Sequence, residues 1–284
     1  MAMNFAISDA QLEQYRRDGY LIVERLFDPE EIGLLSRIAR ADHQLEEQAA
    51  SRRDGEGGVI RLSVRNALDD DIYSAFVRCR RIVDNIERLL DGEVYHYHHK
   101  MILKEPRVGG AWEWHQDYGY WYVNGCLFPD LASCLIAVDR ATRANGCLQV
   151  LRGSHRMGRI SHGPIGDQTG ADPERVAAAL GRLERVDCEL GPGDAIFFHC
   201  NLLHRSDRNT SDEPRWALIC CYNAARNDPY KESHHPRYTP LKVVPDSAIK
   251  EVGVRRFADD KSDVAWLEDT KDSSARRLAK SEPG

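Results

Sequence analysis

The sequence predicts a mainly β protein with helices gathered toward its N-terminal end, and three observations predict it. Apolar residues recur at helical spacing up to about residue 90. From Val94 onward the chain changes to short runs rich in Val, Ile, Tyr and Trp. Those runs are punctuated by the turn signals Asn124-Gly125, Asn145-Gly146 and Gly191-Pro192-Gly193-Asp194. With 284 residues, 42% of them hydrophobic, the chain can bury a substantial core. A single domain over 1–245 is expected, helical over about 1–92 and β over about 93–245, followed by a charged peripheral tail over 246–284.

The elements follow in order. Ser8 with Gln11 makes a capping box, Leu12 and Tyr15 begin an apolar face, and Gly19 stops the helix. A strand follows over Tyr20 to Val23. Asp28, Pro29 and Glu31 supply an N-cap, a first-turn proline and an acidic first turn. They lead into Ile32, Leu35 and Ile38, a face that should pack on the core. The Gly-rich stretch 51–58 reads as a mobile loop, and 71–90 returns to helical spacing through Tyr73, Phe76, Val77, Ile82, Ile86 and Leu89. A helical insertion is expected within 171–185, where Val176, Ala179, Leu180 and Leu183 share one face. No internal repeat is visible.

Composition narrows the function. A formal charge of −6 and a pI near 6.0 argue against a general nucleic-acid binder, which needs clustered Lys and Arg to hold phosphates. The eight cysteines include no C-x-x-C pair and fall in apolar segments, so they read as reduced and structural. No stretch approaches a membrane span, the start lacks the pattern of a secretory signal, and the last residues are no peroxisomal address, so a cytoplasmic, monomeric or weakly oligomeric enzyme acting on a small molecule is expected.

The chemistry is carried by His115, Asp117 and His204. The first two form a His-x-Asp pair whose side chains point the same way from an extended segment. His204 lies far along the chain, after the turn and strand of Asp194 to His199, where strand ends meet. Two neutral imidazoles and one carboxylate suit Fe(II) and leave three adjacent positions open, two for a bidentate 2-oxo acid and one for O2. Arg215, on the strand after His204, suits the far carboxylate of a dicarboxylic cosubstrate because its planar fork donates two parallel hydrogen bonds. Ser206 could donate to the same carboxylate.

These segments together carry a resemblance. Trp114-His115-Gln116-Asp117, Asn145-Gly146-Cys147-Leu148, Gly153-Ser154-His155-Arg156, Gly193-Asp194 and His204-x-Ser206 with Arg215 resemble the phytanoyl-CoA dioxygenase family of Fe(II)/2-oxoglutarate oxygenases. The resemblance runs from about Ser8 to Asn227, and the His-x-Asp region is similar to that of ectoine hydroxylase. It implies a double-stranded β-helix, a jelly-roll of two facing antiparallel sheets buttressed by helices. It also implies His115, Asp117 and His204 as iron ligands, Arg215 and Ser206 as holders of 2-oxoglutarate, and Met101 and Gln116 lining the cosubstrate pocket. The implied reaction is hydroxylation of a small organic molecule with release of succinate and CO2; desaturation, epimerisation, C–P oxidation and a non-catalytic metabolite-binding role stay open. The family's proline before Gly-Ser-His is replaced by Arg152, while Asp at 117 speaks against a halogenase.

Substrate contacts are expected among the aromatic residues around the His-x-Asp pair, which alternation would divide between pocket and packing. Trp121 occupies the substrate-contact position of the ectoine-hydroxylase resemblance. His99, sharing a strand face with Met101, is a second candidate, and His155 a third, with Arg156 and His162 as further partners for an anionic group. His96 and His98 fit a half-exposed polar strand, and His234 and His235 read as exposed loop residues.

Overall fold

The computed structural model describes residues 5–54, 56–257 and 266. Its helices are α1 (Asp9–Asp18), α2 (Pro29–Ala41), α3 (His43–Glu47), α4 (Ile72–Arg78), α5 (Arg80–Leu90), α6 (Asp117–Trp121), α7 (Pro173–Leu180) and α8 (Ala248–Phe257). The strands are β1 (Tyr20–Val23), β2 (Ala50–Arg53), β3 (Val59–Arg65), β4 (Val94–Lys104), β5 (Trp112–His115), β6 (Leu131–Ala137), β7 (Leu148–Leu151), β8 (His162–Ile165), β9 (Gln168–Ala171), β10 (Arg185–Cys188), β11 (Ala195–His199), β12 (His204–Ser206) and β13 (Arg215–Ala224). No described helix is long and apolar enough to cross a membrane.

Two antiparallel sheets face each other. The larger has the order β1-β11-β6-β13-β4-β3-β2 and the smaller β10-β7-β12-β5, with β8 and β9 forming a separate ribbon. This is the expected jelly-roll. The large sheet is buried on both faces, which explains why its strands carry apolar residues at both parities. One face (Met101, Leu103, Cys134, Ile136, Phe197, Leu218, Cys220) packs under Phe76, Ile82 and Ile86 of α4 and α5 and Leu35 of α2. The other (Ile60, Leu62, Ile102, Leu135, Ile196, Phe198, Ile219) meets Leu148, Val150 and Cys188 of the small sheet. Each fully buried Ile, Leu or Phe contributes up to about 1.5–3 kcal/mol relative to exposure.

The local signals act as their chemistry requires. Ser8 accepts from the Gln11 N–H and Gln11 answers to the Ser8 N–H, while Asp28 accepts from Glu30 and Glu31. Gly19 closes α1 in the left-handed region at φ 82°. All eight cysteines are free and buried.

Four expectations are corrected. The described residues of 51–58 do not read as a mobile loop: β2 pairs with β3, and Asp54 accepts from the N–H groups of Glu56, Gly58 and Ala111 and from the Arg208 guanidinium. Burial works against the Asp54 charge, but these donors outweigh it and bring its carboxyl down to about 2. The segment 71–90 breaks at Cys79, whose extended backbone separates α4 from α5. The N-terminal region contributes β3 as well as β1 to the large sheet, so it is less helical than periodicity suggests. The chain after 245 is not simply peripheral: Ile249 and Val252 of α8 are buried in the helical core, and Trp266 lies over Arg65. The remainder of 258–284 lies outside the described residues.

Candidate metal centre and active site

Strand pairing brings the two histidines together. His204 on β12 is the direct cross-strand partner of His115 on β5, and their ring centroids lie 4.0 Å apart. After His115 the chain stays extended for one residue, Gln116 (φ −115°, ψ 134°), and then turns into α6, whose first residue is Asp117. That single extended residue puts the carboxylate on the histidines' side. Asp117 Oδ1 lies 3.8 Å from His115 Nε2 and 3.9 Å from His204 Nε2.

Each donor atom is oriented by a second contact. His115 Nδ1 meets the Glu113 carbonyl at 2.8 Å and His204 Nδ1 the Leu202 carbonyl at 2.9 Å, so each Nδ1 carries the proton and each Nε2 is left with its lone pair. Ser133 donates to Asp117 Oδ2 at 3.2 Å, leaving Oδ1 toward the imidazoles. Burial pushes the His115 imidazole well below its ordinary range, with His204 adding to the shift, and burial lowers His204 despite Asp117. Neutral imidazoles beside a buried carboxylate, their donor atoms within 4.8 Å of one another, fit a divalent cation such as Fe(II).

The three residues line a cavity between the sheets. Arg215 and Ser206 lie along its wall together with Trp112, Tyr120, Trp121, His98, Lys100 and His235. Arg215 is buried; its Nη2 donates to the Gly146 carbonyl at 2.8 Å, its Nε is unpartnered, and it has no carboxylate partner among the described residues. Burial pushes its guanidinium down to about 10. Lys104, its cross-strand partner, is also fully buried and donates to Ser206 Oγ at 2.8 Å and to the Asp207 carbonyl. A buried guanidinium and a hydroxyl on one cavity wall call for an anion.

Several expected contacts are placed elsewhere. A bulge in β4, where Cys221 opposes His98 and Tyr222 opposes His96, leaves Tyr97 as the extra residue. Beyond it His98, Lys100 and Ile102 face the cavity, whereas His99 and Met101 point beneath the helices, His99 toward His96 and Trp266. Met101 and His99 therefore do not line the pocket. Gln116 does not either: its amide holds the Gly158 and Asn201 carbonyls and the Ile160 N–H, tying three loops to the His-x-Asp turn. His155 contacts the Arg16 carbonyl at 3.1 Å and lies tilted against His199, so it pins the Gly-Ser-His-Arg loop to the end of α1. His162 accepts from the Gln116 N–H. Gly119 is required here, because a Cβ would lie 2.3 Å from the His162 ring.

The aromatic run after Asp117 is helical rather than alternating, which lets the adjacent Tyr120 and Trp121 both reach the cavity. Sequence reasoning missed Lys100, Lys104 and Ser133. It also misread His98 and His235, which are buried and stacked with ring centroids 4.7 Å apart on the cavity wall. Strand alternation was the available signal, but its phase depends on the bulge. Ser154 is a further positioning residue, since its Oγ accepts from the Leu203 N–H immediately before His204.

The model of the phytanoyl-CoA dioxygenase family matches residues 15–217, with the triad and Arg215 inside the match. The chain belongs to the phytanoyl-CoA dioxygenase family. It is 30% identical to L-proline trans-4-hydroxylase of Streptomyces griseoviridis over 265 residues, covering 87% of this chain and 96% of that protein. It is 28% identical to ectoine dioxygenase of Bordetella parapertussis over 269 residues, covering 87% and 85%. Among solved structures, EctD from S. alaskensis with bound Fe is similar at a TM-score of 0.72 and 25% identity, over 86% of this chain and 90% of that one. EctD was also solved with 2-oxoglutarate and 5-hydroxyectoine. This member of the family is an Fe(II)- and 2-oxoglutarate-dependent dioxygenase that uses O2.

Proposed function

We propose that His115, Asp117 and His204 hold the Fe(II), that Arg215 and Ser206 hold the far carboxylate of 2-oxoglutarate, and that the substrate is a compact, amino-acid-like molecule. The observation that carries this reading is the convergence of two Nε2 lone pairs and one carboxylate oxygen in a cavity whose wall also holds an unneutralised guanidinium. Bound iron supplies the redox chemistry that converts 2-oxoglutarate and O2 to succinate and CO2 while one oxygen atom enters a substrate C–H bond. The chain orients the cosubstrate through Arg215 and Ser206, the latter steadied by Lys104, and excludes bulk water with Trp112, Tyr120, Trp121 and Phe198. The relatives named for proline and ectoine support a small substrate. A monomeric or weakly oligomeric cytoplasmic enzyme belongs to the same reading.

Replacing Asp117 by Ala tests the ligand set. Iron-dependent succinate formation is expected to fall about 100-fold or more, with bound iron falling in parallel and the far-UV spectrum retained. Succinate formation at the parental rate in Asp117→Ala would overturn the assignment.

A further inference from the structure

The cavity wall contains a cation that the cosubstrate clamp does not use. Lys100 lies on the inner face of β4, four residues from Lys104, hence about 13 Å along the strand from the Arg215 end. Its cross-strand neighbours are Val64 and Ile219, both apolar and both lining the same cavity. Its ammonium makes no hydrogen bond or ion pair with any described residue. Among the described residues lining the cavity Asp117 is the only carboxylate, and its Oδ1 faces the two imidazoles. Two further cations line the cavity, Arg52 and Arg205, and both are engaged: Arg205 with Gln149 and Asp207, Arg52 with the Ser51 carbonyl.

His98 adds a second unmet group. It is buried on the same wall, stacked on His235 and edge-on to Trp121, and its Nδ1 has no partner among the described residues. Burial, then His235 and Lys100, hold its imidazole well below its ordinary range, so it is neutral and able to donate one hydrogen bond. Lys100 lines the same cavity as His115, Asp117 and His204. A half-buried ammonium in an apolar wall is costly unless an anion joins it, and a buried unpartnered imidazole nitrogen is costly without an acceptor or donor.

We propose that Lys100 and His98 receive a carboxylate of the substrate, so that this enzyme selects small carboxylic acids over their neutral analogues. The inference rests on the functional reading above and adds the substrate's charge to it. One point charge and one neutral donor match a monoanion; a dianionic phosphate would leave charge unmatched. Trp121 and Tyr120 then bound the apolar part of the acid between this contact and the metal ligands.

The test uses the full chain with Fe(II), 2-oxoglutarate and O2, and follows succinate with L-proline, L-pipecolate and N-acetylglycine, each against its primary amide. At least one acid is expected to stimulate succinate formation at a concentration about tenfold lower than its amide. In Lys100→Met that preference should collapse to within about twofold, through KM rather than kcat, and Lys100→Arg should restore it. The preference is a ratio within one variant, so partial loss of folded protein does not imitate the effect. Equal stimulation by acids and amides, a preference that survives Lys100→Met, or succinate formation that no acid stimulates would each overturn the proposal. Absence of any iron-dependent succinate would instead sink the functional reading and this inference with it.

Discussion

A single buried guanidinium shows how this site uses unpaired charge. Arg215 sits in the cavity wall with one carbonyl contact, an unpartnered Nε and no carboxylate within reach among the described residues. Isolated burial of this kind destabilises the protein unless a ligand completes it. A planar fork holds a carboxylate through two parallel hydrogen bonds, and lysine offers a point charge instead. Arg215→Lys is therefore expected to raise KM for 2-oxoglutarate about 10- to 100-fold, equivalent to about 1.5–3 kcal/mol for a charged hydrogen bond, with a smaller change in kcat. Titration of succinate formation against 2-oxoglutarate measures it, and an unchanged KM would remove Arg215 from the clamp. The arginine and the three proposed ligands were legible because their residue types and order are rare together. Lys100 and His98 were not, because the phase of β4 is decided by an extra residue at Tyr97 that alternation alone does not reveal.

At the scale of elements, the site depends on turns and on how helices close over the large sheet. Gly146 has φ 77°, a Cβ there would lie 2.2 Å from the Asp207 carbonyl oxygen, and its own carbonyl accepts from Arg215. Gly146→Ala combines left-handed strain with a backbone collision, so a loss of about 2 kcal/mol or more is expected. At this chain length that corresponds to a Tm lowered by about 4–8 °C, accompanied by weaker 2-oxoglutarate binding because the Arg215 acceptor moves. A melt indistinguishable from the parent would show that the turn relaxes freely. In α8, Ile249 is fully buried against the helical layer. Ile249→Ala should cost about 2–5 kcal/mol by leaving a cavity, read as a lower urea midpoint, while KM for 2-oxoglutarate stays at the parental value because the residue lies on the far side of the sheet from the clamp. The sequence reading placed this segment in a peripheral tail, since the chain after residue 245 is charged and weakly patterned and only docking shows which face it turns to the core.

Across the whole molecule, burial of histidines sets the response to acid. Burial pushes His96 down to about 3, and His162 and His199 down to about 4; in His162 the neighbouring Ile160 carbonyl opposes the shift, and in His199 the nearby His155 reinforces it. The ordinary imidazole value is about 6.5, so between that value and about 4 the unfolded chain binds more protons than the folded one. Stability is then fully present above the ordinary value and is lost as the pH falls through it. Urea midpoints should be level near pH 7.5 and decline steadily toward pH 5, and a midpoint that rose on acidification would contradict the neutral, buried state of these rings.

The residue pattern by itself determined the class of this protein, β strands after a helical start and the family that joins them, and it singled out the residues proposed here as iron ligands and as the 2-oxoglutarate clamp. Those features are local or depend only on order, so they survive being read one residue at a time. Tertiary structure decided what depends on registration between distant segments. Pairing of β5 with β12 sets His115 against His204, the turn into α6 swings Asp117 to meet them, and the β4 bulge turns Met101 and His99 away while turning Lys100 and His98 inward. A strand buried on both faces carries no polarity signal to say which side is the cavity, and only the packed sheets supply that answer.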